Sequence, residues 1–480
     1  MPSELTRADT GARPLPTEKT GLTFSQWLVL AACFLGWMFD GVELGLFPQA
    51  VRPALNSMGF LNDAQVAGYN GYIMAAIMLG AATGGLVFGW LGDKIGRVRS
   101  MVISITVYSL LTGACALARQ PWHLGTFCFL AALGMGGEWA LAVSLVMECW
   151  PERHRPKLAG AIGAASNFGF LFIALVAMTW RPTAESWRWI MLVGAMPAVL
   201  ALLVSIFVPE SERWKESIKR GGSKPLREIF SRKLLKGTLL AIVFASVPLV
   251  GTWAAVSGWT PPWVEQMKQM ELAKIELAKV SLSPDQREQL AKAQTPDQRM
   301  EAVKKVLSPD PRATSPTWAR ISREASRAKG LVQVFLALGA ITGCFIAPIL
   351  GGMWGRRPVY FGLCLASLAV CQYLYGHHDT FNAEFMVMAF LAGGVTAAFY
   401  GWLPLYLPEI FPTRVRATGQ GLSFNSGRVL TAAAAIWMGQ HVGFLGGNYA
   451  GAASTVTLIY LVGMVVIWFA PETKGRPLPE

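Results

Sequence analysis

Four ionisable side chains lie where the sequence is otherwise apolar: Asp40, Glu43, Glu138 and Arg428. Asp40 and Glu43 stand three residues apart in Phe39-Asp40-Gly41-Val42-Glu43, a spacing that puts them on neighbouring faces of a helix. Two carboxylates sharing a poorly hydrated cavity resist double ionisation, which is the chemistry of a proton carrier. Glu138 follows Gly136-Gly137, whose lack of side chains lets another helix or a ligand come close. A guanidinium cannot shed its charge, so Arg428 needs an anion: either a ligand carboxylate or a fixed salt bridge to Glu43 or Glu138. Asn425, one helical turn earlier, is placed to donate to a carboxylate or hydroxyl. Trp253 and Tyr400, with Trp139, Trp259 and Trp402, either line a cavity for a small organic molecule or serve as packing. Nothing resembles a catalytic or metal centre. The cysteines at 33, 115, 128, 149, 344, 364 and 371 form no CxxC, the histidines make no metal pattern, and there is no Gly-rich phosphate loop. The sequence therefore predicts no catalytic residue, no metal and no cofactor.

The elements that must position these residues follow from composition. Of 480 residues, 53% are hydrophobic and 15% charged, against about 25% charged in soluble domains. A mean hydropathy of +0.40 makes lipid the solvent. Apolar runs long enough to cross a bilayer as helices recur twelve times, at about 26–50, 65–91, 99–118, 124–147, 158–180, 188–208, 237–260, 330–354, 358–376, 384–408, 417–440 and 448–470. With both termini placed inside, inner segments hold 24 Lys or Arg and short outer loops four, as the positive-inside rule requires. The net charge of +13 thus expresses topology and not nucleic-acid binding. No cleavable signal is present, so the expectation is a multi-pass plasma (inner) membrane protein with cytoplasmic termini and a monomeric functional unit. The domains expected are a cytoplasmic tail 1–25, a six-helix half 26–208, a basic linker 209–236, a second half 237–470 and a tail 471–480. An extracytoplasmic helical insertion is expected at 261–329, where Pro-Asp-Gln-Arg occurs at 284–287 and 296–299 after a small polar residue suited to capping.

The second half repeats the first. Glu148-x-x-Pro151-x-x-x-Arg155 returns as Glu409-x-x-Pro412-x-x-x-Arg416, Pro209-Glu210-Ser211 as Pro471-Glu472-Thr473, and Gly96-Arg97 as Gly355-Arg356. Near-constant offsets imply a duplicated six-helix unit, and parallel repeats of that kind place a substrate between the halves near the midplane. Asp93, Glu148 and Glu409 sit at helix ends beside Arg97, Arg155 and Arg416, where ion pairs between spans could close one face and break when it opens.

Gly89-Trp-Leu-Gly-Asp93-Lys-Ile-Gly-Arg97-Val-Arg99 resembles the loop signature of the major facilitator superfamily, and the repeated Glu-x-x-Pro-x-x-x-Arg, Pro209-Glu-Ser-x-Arg-Trp and Pro471-Glu-Thr-Lys-Gly resemble its sugar-porter and metabolite:proton branches. The second-half loop departs from the signature, with Pro348 and Gly352 where the first has Gly89 and Asp93. Asp40-Gly-Val-Glu43 is similar to the first helix of aromatic-acid and sialic-acid symporters, and Arg428, twelve positions after Arg416, is spaced as in organic-anion carriers. The resemblance implies an all-α fold of twelve membrane helices in two pseudo-symmetric halves. It implies secondary active transport of a small organic acid with protons, Arg428 holding the carboxylate. A neutral sugar or polyol porter and a non-transporting membrane sensor are the alternatives.

Overall fold

The computed structural model describes residues 22–59, 63–179, 183–219, 225–308, 315–444 and 448–479. Most of the N-terminal tail lies outside them. Among the described residues there are helices and no strands. The first half runs α1 (Phe24–Ser57), α2 (Asp63–Ile95), α3 (Arg97–Ala114), α4 (Pro121–Cys149), α5 (Arg155–Thr179) and a last span kinked around Gly194 into α6 (Trp187–Val193) and α7 (Pro197–Phe207). The linker carries short helices α8 (Glu212–Lys219) and α9 (Pro225–Ile229). The second half comprises α10 (Leu235–Gly251), α11 (Gly258–Leu277), α12 (Pro284–Lys292), α13 (Pro296–Leu307), α14 (Pro316–Trp354), α15 (Arg356–His377), α16 (Ala383–Ala397), α17 (Phe399–Ile410), α18 (Arg416–Phe444), α19 (Tyr449–Thr457) and α20 (Ile459–Val466).

Eleven helical stretches among the described residues are long and apolar enough to cross a membrane. The remaining crossing is α18, whose 29 residues suffice in length but which carries the buried polar side chains Gln420, Ser423, Asn425 and Arg428. A polar helix in a membrane bundle belongs at its interior, where partners or ligand can satisfy it. Side chains such as Leu202 and Val465, each more than 60% exposed, form the outer apolar surface that meets lipid.

Glycines set how closely the halves and their helices approach. A Cβ on Gly421 of α18 would fall 2.2 Å from the Gly85 carbonyl of α2, and one on Gly163 of α5 would fall 2.2 Å from the Tyr400 carbonyl of α17. Close backbone contact of this kind is how membrane helices associate when apolar burial gives no advantage over lipid.

Two helices carry on from the bundle into the insertion. The seventh continues past Pro261: α10, a π-helical stretch Thr252–Ser257 and α11 form one continuous rod of 43 residues, about 64 Å at 1.5 Å per residue and twice the hydrocarbon thickness. Pro261 and Pro262 lie within it, beyond the π-helical turns that loosen the hydrogen-bond ladder. Likewise α14 begins at Pro316, far ahead of residue 330, and runs for 39 residues. The projecting ends of α11 and α14 carry α12 and α13, and Ala273, Val303, Leu307, Trp318 and Ile321 form a separate small core there. Ser283 and Thr295 cap these two helices, each in a reciprocal capping box with the Gln of its Pro-Asp-Gln-Arg tetrad.

Candidate transport site and gate

The loops joining α2 to α3 and α14 to α15 each turn on a glycine with positive φ, Gly96 at 111° and Gly355 at 102°. Both also leave room for an acid: a Cβ on Gly96 would lie 2.1 Å from Glu210 Oε2, and one on Gly355 would lie 3.0 Å from Glu472 Oε2. Glu210 accepts the backbone N–H groups of Arg97 and Val98 at 3.0 Å. Glu472 accepts those of Arg356 and Arg357 at 3.0 and 3.1 Å. A carboxylate from the end of each half thus caps a helix N-terminus, where orphan donors and the helix dipole favour negative charge. Burial pushes Glu472 up, but the N–H groups of Arg356, Arg357, Lys474 and Thr473 outweigh it and hold the carboxyl below its ordinary value.

Beside each cap stands a buried ion pair. Arg97 Nη2 meets Glu148 Oε1 at 3.0 Å, and Ser211 donates to the other Glu148 oxygen at 2.6 Å. In the second half Arg356 forks onto Glu409 at 2.6 and 3.0 Å, and Thr473 donates at 2.5 Å. Glu409 therefore pairs with Arg356, which the sequence reading passed over although Gly355-Arg356 repeats Gly96-Arg97. Arg155 bonds Glu152 in its own segment at 2.7 Å and does not join Glu409.

The charged contacts between the halves, among the described residues, join the ends of α2 and α4 to the start of α18. Arg416 Nη1 reaches Glu148 Oε1 at 3.0 Å, the same oxygen that Arg97 holds. Arg97 also donates to the Thr413 carbonyl at 2.8 Å. Asp93, paired with Arg97 at 2.9 Å, accepts the N–H groups of Ala417 and Thr418 at 3.2 and 2.8 Å and the Thr418 hydroxyl at 2.6 Å. It caps α18 from across the interface. At the repeated position Gly352 faces Pro156 of α5, with 3.2 Å between a Gly352 Cβ and the proline ring. Proline has no N–H, so the second half lacks the acid and one of the two amide donors that Asp93 holds in the first.

Deeper in the bundle, Arg428 lies about 18 Å along α18 from Arg416. It is 6% exposed. Its guanidinium sits 5.7 Å from the Phe424 ring centroid, and Nη1 has no hydrogen-bond partner among the described residues. Asp40 and Tyr400 are the groups that act on it electrostatically. Neither Glu43 nor Glu138 forms the fixed salt bridge that the sequence left open, among the described residues. Phe424 is the hub of an aromatic cluster: it stacks on Trp139 at 4.1 Å and 13°, and meets Trp37 and Tyr400 edge-on at 6.3 and 6.2 Å. Trp37 Nε1, Trp139 Nε1 and Tyr400 Oη are buried donors without a partner among the described residues. Trp253, on the π-helical stretch, packs 5.2 Å from Phe170 of α5.

The three acids form a graded series. Glu43 accepts from Thr112 at 2.8 Å. Glu138 lies against α1, its Oε1 2.1 Å from a Cβ built on Gly36. Asp40 acts electrostatically on both, and its two oxygens and those of Glu138 are buried without partners among the described residues. Asn425 departs from its expected role. Its amide nitrogen donates to the Gly136 and Gly421 carbonyls at 3.1 and 2.9 Å, so its donors are spent on bracing α18 against α4. Only its carbonyl oxygen is free among the described residues.

The sequence profile described as Major Facilitator Superfamily matches residues 21–281, more than half of the chain. The chain belongs to this superfamily. A second profile, described as Sugar (and other) transporter, matches residues 359–480. The facilitator fold is seen again in the proton:xylose symporter XylE bound to 6-bromo-6-deoxy-D-glucose, with a TM-score of 0.62 over 95% of this chain and 97% of that one, at 17% identity. Among curated relatives, the probable 4-methylmuconolactone transporter of Cupriavidus pinatubonensis is 25% identical over 92% of this chain and 90% of its own length. The niacin transporter of Acinetobacter baylyi is 26% identical over 92% and 93%. This facilitator is a multi-pass membrane transporter of the twelve-helix, two-half architecture, and not an enzyme.

Phe424 and Trp37 escaped the sequence reading because a Phe or Trp in an apolar run looks like packing. The available signal was spacing: Phe424 stands four residues before Arg428, one turn away on the same face.

Proposed function

We infer that this facilitator takes up small, flat, unsaturated organic acids by symport with protons, alternating access between the two faces of the plasma membrane. The observation that carries the reading is Arg428: a buried cation without an ion pair among the described residues, set over Phe424 within a cluster of rings. A guanidinium matches a carboxylate in two parallel hydrogen bonds, and aromatic faces accommodate a planar ring. Niacin and 4-methylmuconolactone, the compounds named for two relatives, both join an unsaturated ring to a carboxylate.

In this reading Arg428 holds the substrate carboxylate, Tyr400 and the two indole N–H groups orient the ring, and Trp253 borders the site. Asp40 lies beside the cation and between Glu43 and Glu138, so a proton entering at Glu43 can pass through Asp40 to Glu138. Substrate neutralises Arg428 and a proton neutralises an acid, and the loaded carrier can then reorient without moving uncompensated charge through a low-dielectric region. The Asp93, Arg97, Glu148, Arg416 ring, with Arg356–Glu409 as its second-half anchor, is the cytoplasmic gate. In this reading both termini lie in the cytoplasm, the α11–α14 projection lies outside, and one chain is the transporting unit.

Uptake into proteoliposomes tests this. Niacin, benzoate, muconate and xylose are offered with and without an inward proton gradient. Accumulation of a ring acid that requires the gradient is expected; gradient-independent uptake of xylose alone would overturn the reading.

A further inference from the structure

At the gate end of the second half, a cavity of about 570 Å³ opens between the start of α10 and the chain after α20. Its wall includes Lys233, Lys236, Arg357 and Arg476, and a single acid, Glu409. That acid is already neutralised by Arg356 at 2.6 Å, so the cavity is strongly positive. Lys233, Lys236 and Arg476 are exposed and form no ion pair among the described residues. Directly beside it, one face of the start of α10 forms a shallow, open groove lined by Leu235, Leu239 and Leu240 together with Arg232 and Lys236. Lys236 and Leu240 belong to both. Leu239 is 52% exposed, so this groove lies on the lipid-facing surface, and Phe469 on the wall of the basic pocket is 64% exposed as well.

A basic pocket roomy enough for a whole lipid headgroup, continued by an apolar surface one helical turn further along α10, has the polarity of one molecule: a phospholipid with an anionic headgroup. We propose that Lys233, Lys236, Arg357 and Arg476 hold the headgroup phosphate of an anionic phospholipid whose acyl chain lies over Leu235, Leu239 and Leu240. The occupant comes from the surrounding bilayer, because the groove faces it. The pocket also gives the basic linker a role beyond topology, since Arg232, Lys233 and Lys236 end that run. Glu409 and Thr473 line the same wall, so the bound phosphate rests against the anchor of the gate.

The test uses the purified full chain in neutral detergent with pyrene-labelled phosphatidylglycerol and phosphatidylcholine. Phosphatidylglycerol is expected to bind preferentially. Lys233→Gln/Lys236→Gln/Arg476→Gln should weaken it by about 100-fold, at roughly one membrane-surface charge interaction per residue, and leave phosphatidylcholine unchanged. Leu239→Gln should weaken both lipids. Lys304→Gln/Lys305→Gln, on the projecting helices, should change neither. These side chains are exposed, so a matching unfolding temperature verifies that each variant folds. Equal binding of the two lipids, or full retention of phosphatidylglycerol by the triple variant, would overturn the proposal. So would glycerol 3-phosphate binding as tightly as the lipid and indifferent to Leu239→Gln, which would assign the pocket to a soluble phosphate.

Discussion

Glu148 on α4 and Arg416 on α18 come from opposite halves of the chain and meet at 3.0 Å with both side chains fully buried. The same Glu148 oxygen is held by Arg97, so one carboxylate joins a bond within its half to a bond across the interface. Glu148→Gln leaves Arg416 without its carboxylate, a loss of about 3 kcal/mol or more for a buried pair. Backbone amides at residues 413–418 should then exchange with deuterium at least about 100-fold faster, as the closed face opens more often. Unchanged protection there would remove Glu148 from the gate.

Arg428 predicts the opposite effect on stability. Arg428→Ala removes a buried cation that no described residue pairs with, so the unfolding temperature should stay level or rise. Affinity for a carboxylate substrate should fall by about 30-fold or more, the loss of a buried charged contact being roughly 2–5 kcal/mol. A variant that loses stability while keeping affinity would make Arg428 a structural residue.

Phe424→Ala removes the hub of the ring cluster. Ring acids should lose affinity by about tenfold, and open-chain acids should lose less, because stacking between rings is worth about 0.5–1.5 kcal/mol beyond area burial. The comparison is made by competition between benzoate and acetate; equal losses would mean that the ring serves only to pack.

Glu138→Gln should retain exchange of substrate across the membrane and lose accumulation driven by a proton gradient. Asn425→Ala, by contrast, should leave coupling intact and lower stability by about 1–2 kcal/mol, since its amide braces Gly136 and Gly421. Gradient-driven accumulation by the Glu138 variant would exclude it from the proton path.

Glu472 carries a pH signature. Its carboxyl is held below the ordinary value by four backbone N–H groups. Its contribution to stability is full above the unfolded value of about 4.3 and fades as the pH falls toward the lower folded one. The unfolding temperature of Glu472→Gln should therefore lie below that of the parent at pH 7, with the gap beginning to shrink below the unfolded value and closing only as the pH falls through the lower folded one. A gap that does not shrink at all over that acid range would trace the loss to packing.

Much of this was legible in the chain itself, for a physical reason. Lipid admits few kinds of backbone, so apolar length announced nearly every crossing, and the repeated Glu148 and Glu409 segments announced two halves. Sequence spacing could not say which arginine meets which acid: Arg416 stands seven residues from Glu409 along the chain and Arg356 fifty-three, yet the acid pairs with Arg356. Arg356 wins because it stands on the glycine turn that mirrors Gly96. Nor could spacing tell that Asn425 spends its donors on carbonyls: that depends on Gly85 and Gly136 letting three backbones crowd its amide. That the helix runs on past residue 260, and that α14 starts well ahead of 330, has a physical reason: a π-helical turn before Pro261 and an N-terminal position for Pro316 make both residues compatible with helix.

The Gly352–Pro156 contact makes the two seams between the halves unlike in kind. Along α2 and α18 the seam is fastened by charge and by amide donors, so water, salt or a change in protonation can undo it. Along α5 and α14 it is close packing at Gly160 and the Pro156 ring with the neutral Asn167 and Cys344, and no charged pair crosses it among the described residues. A rocking motion needs one edge that parts and one that stays in touch, and the duplicated chain has divided that labour: the first-half signature became the catch, and the substitution in the second half left a dry bearing on which the halves can turn.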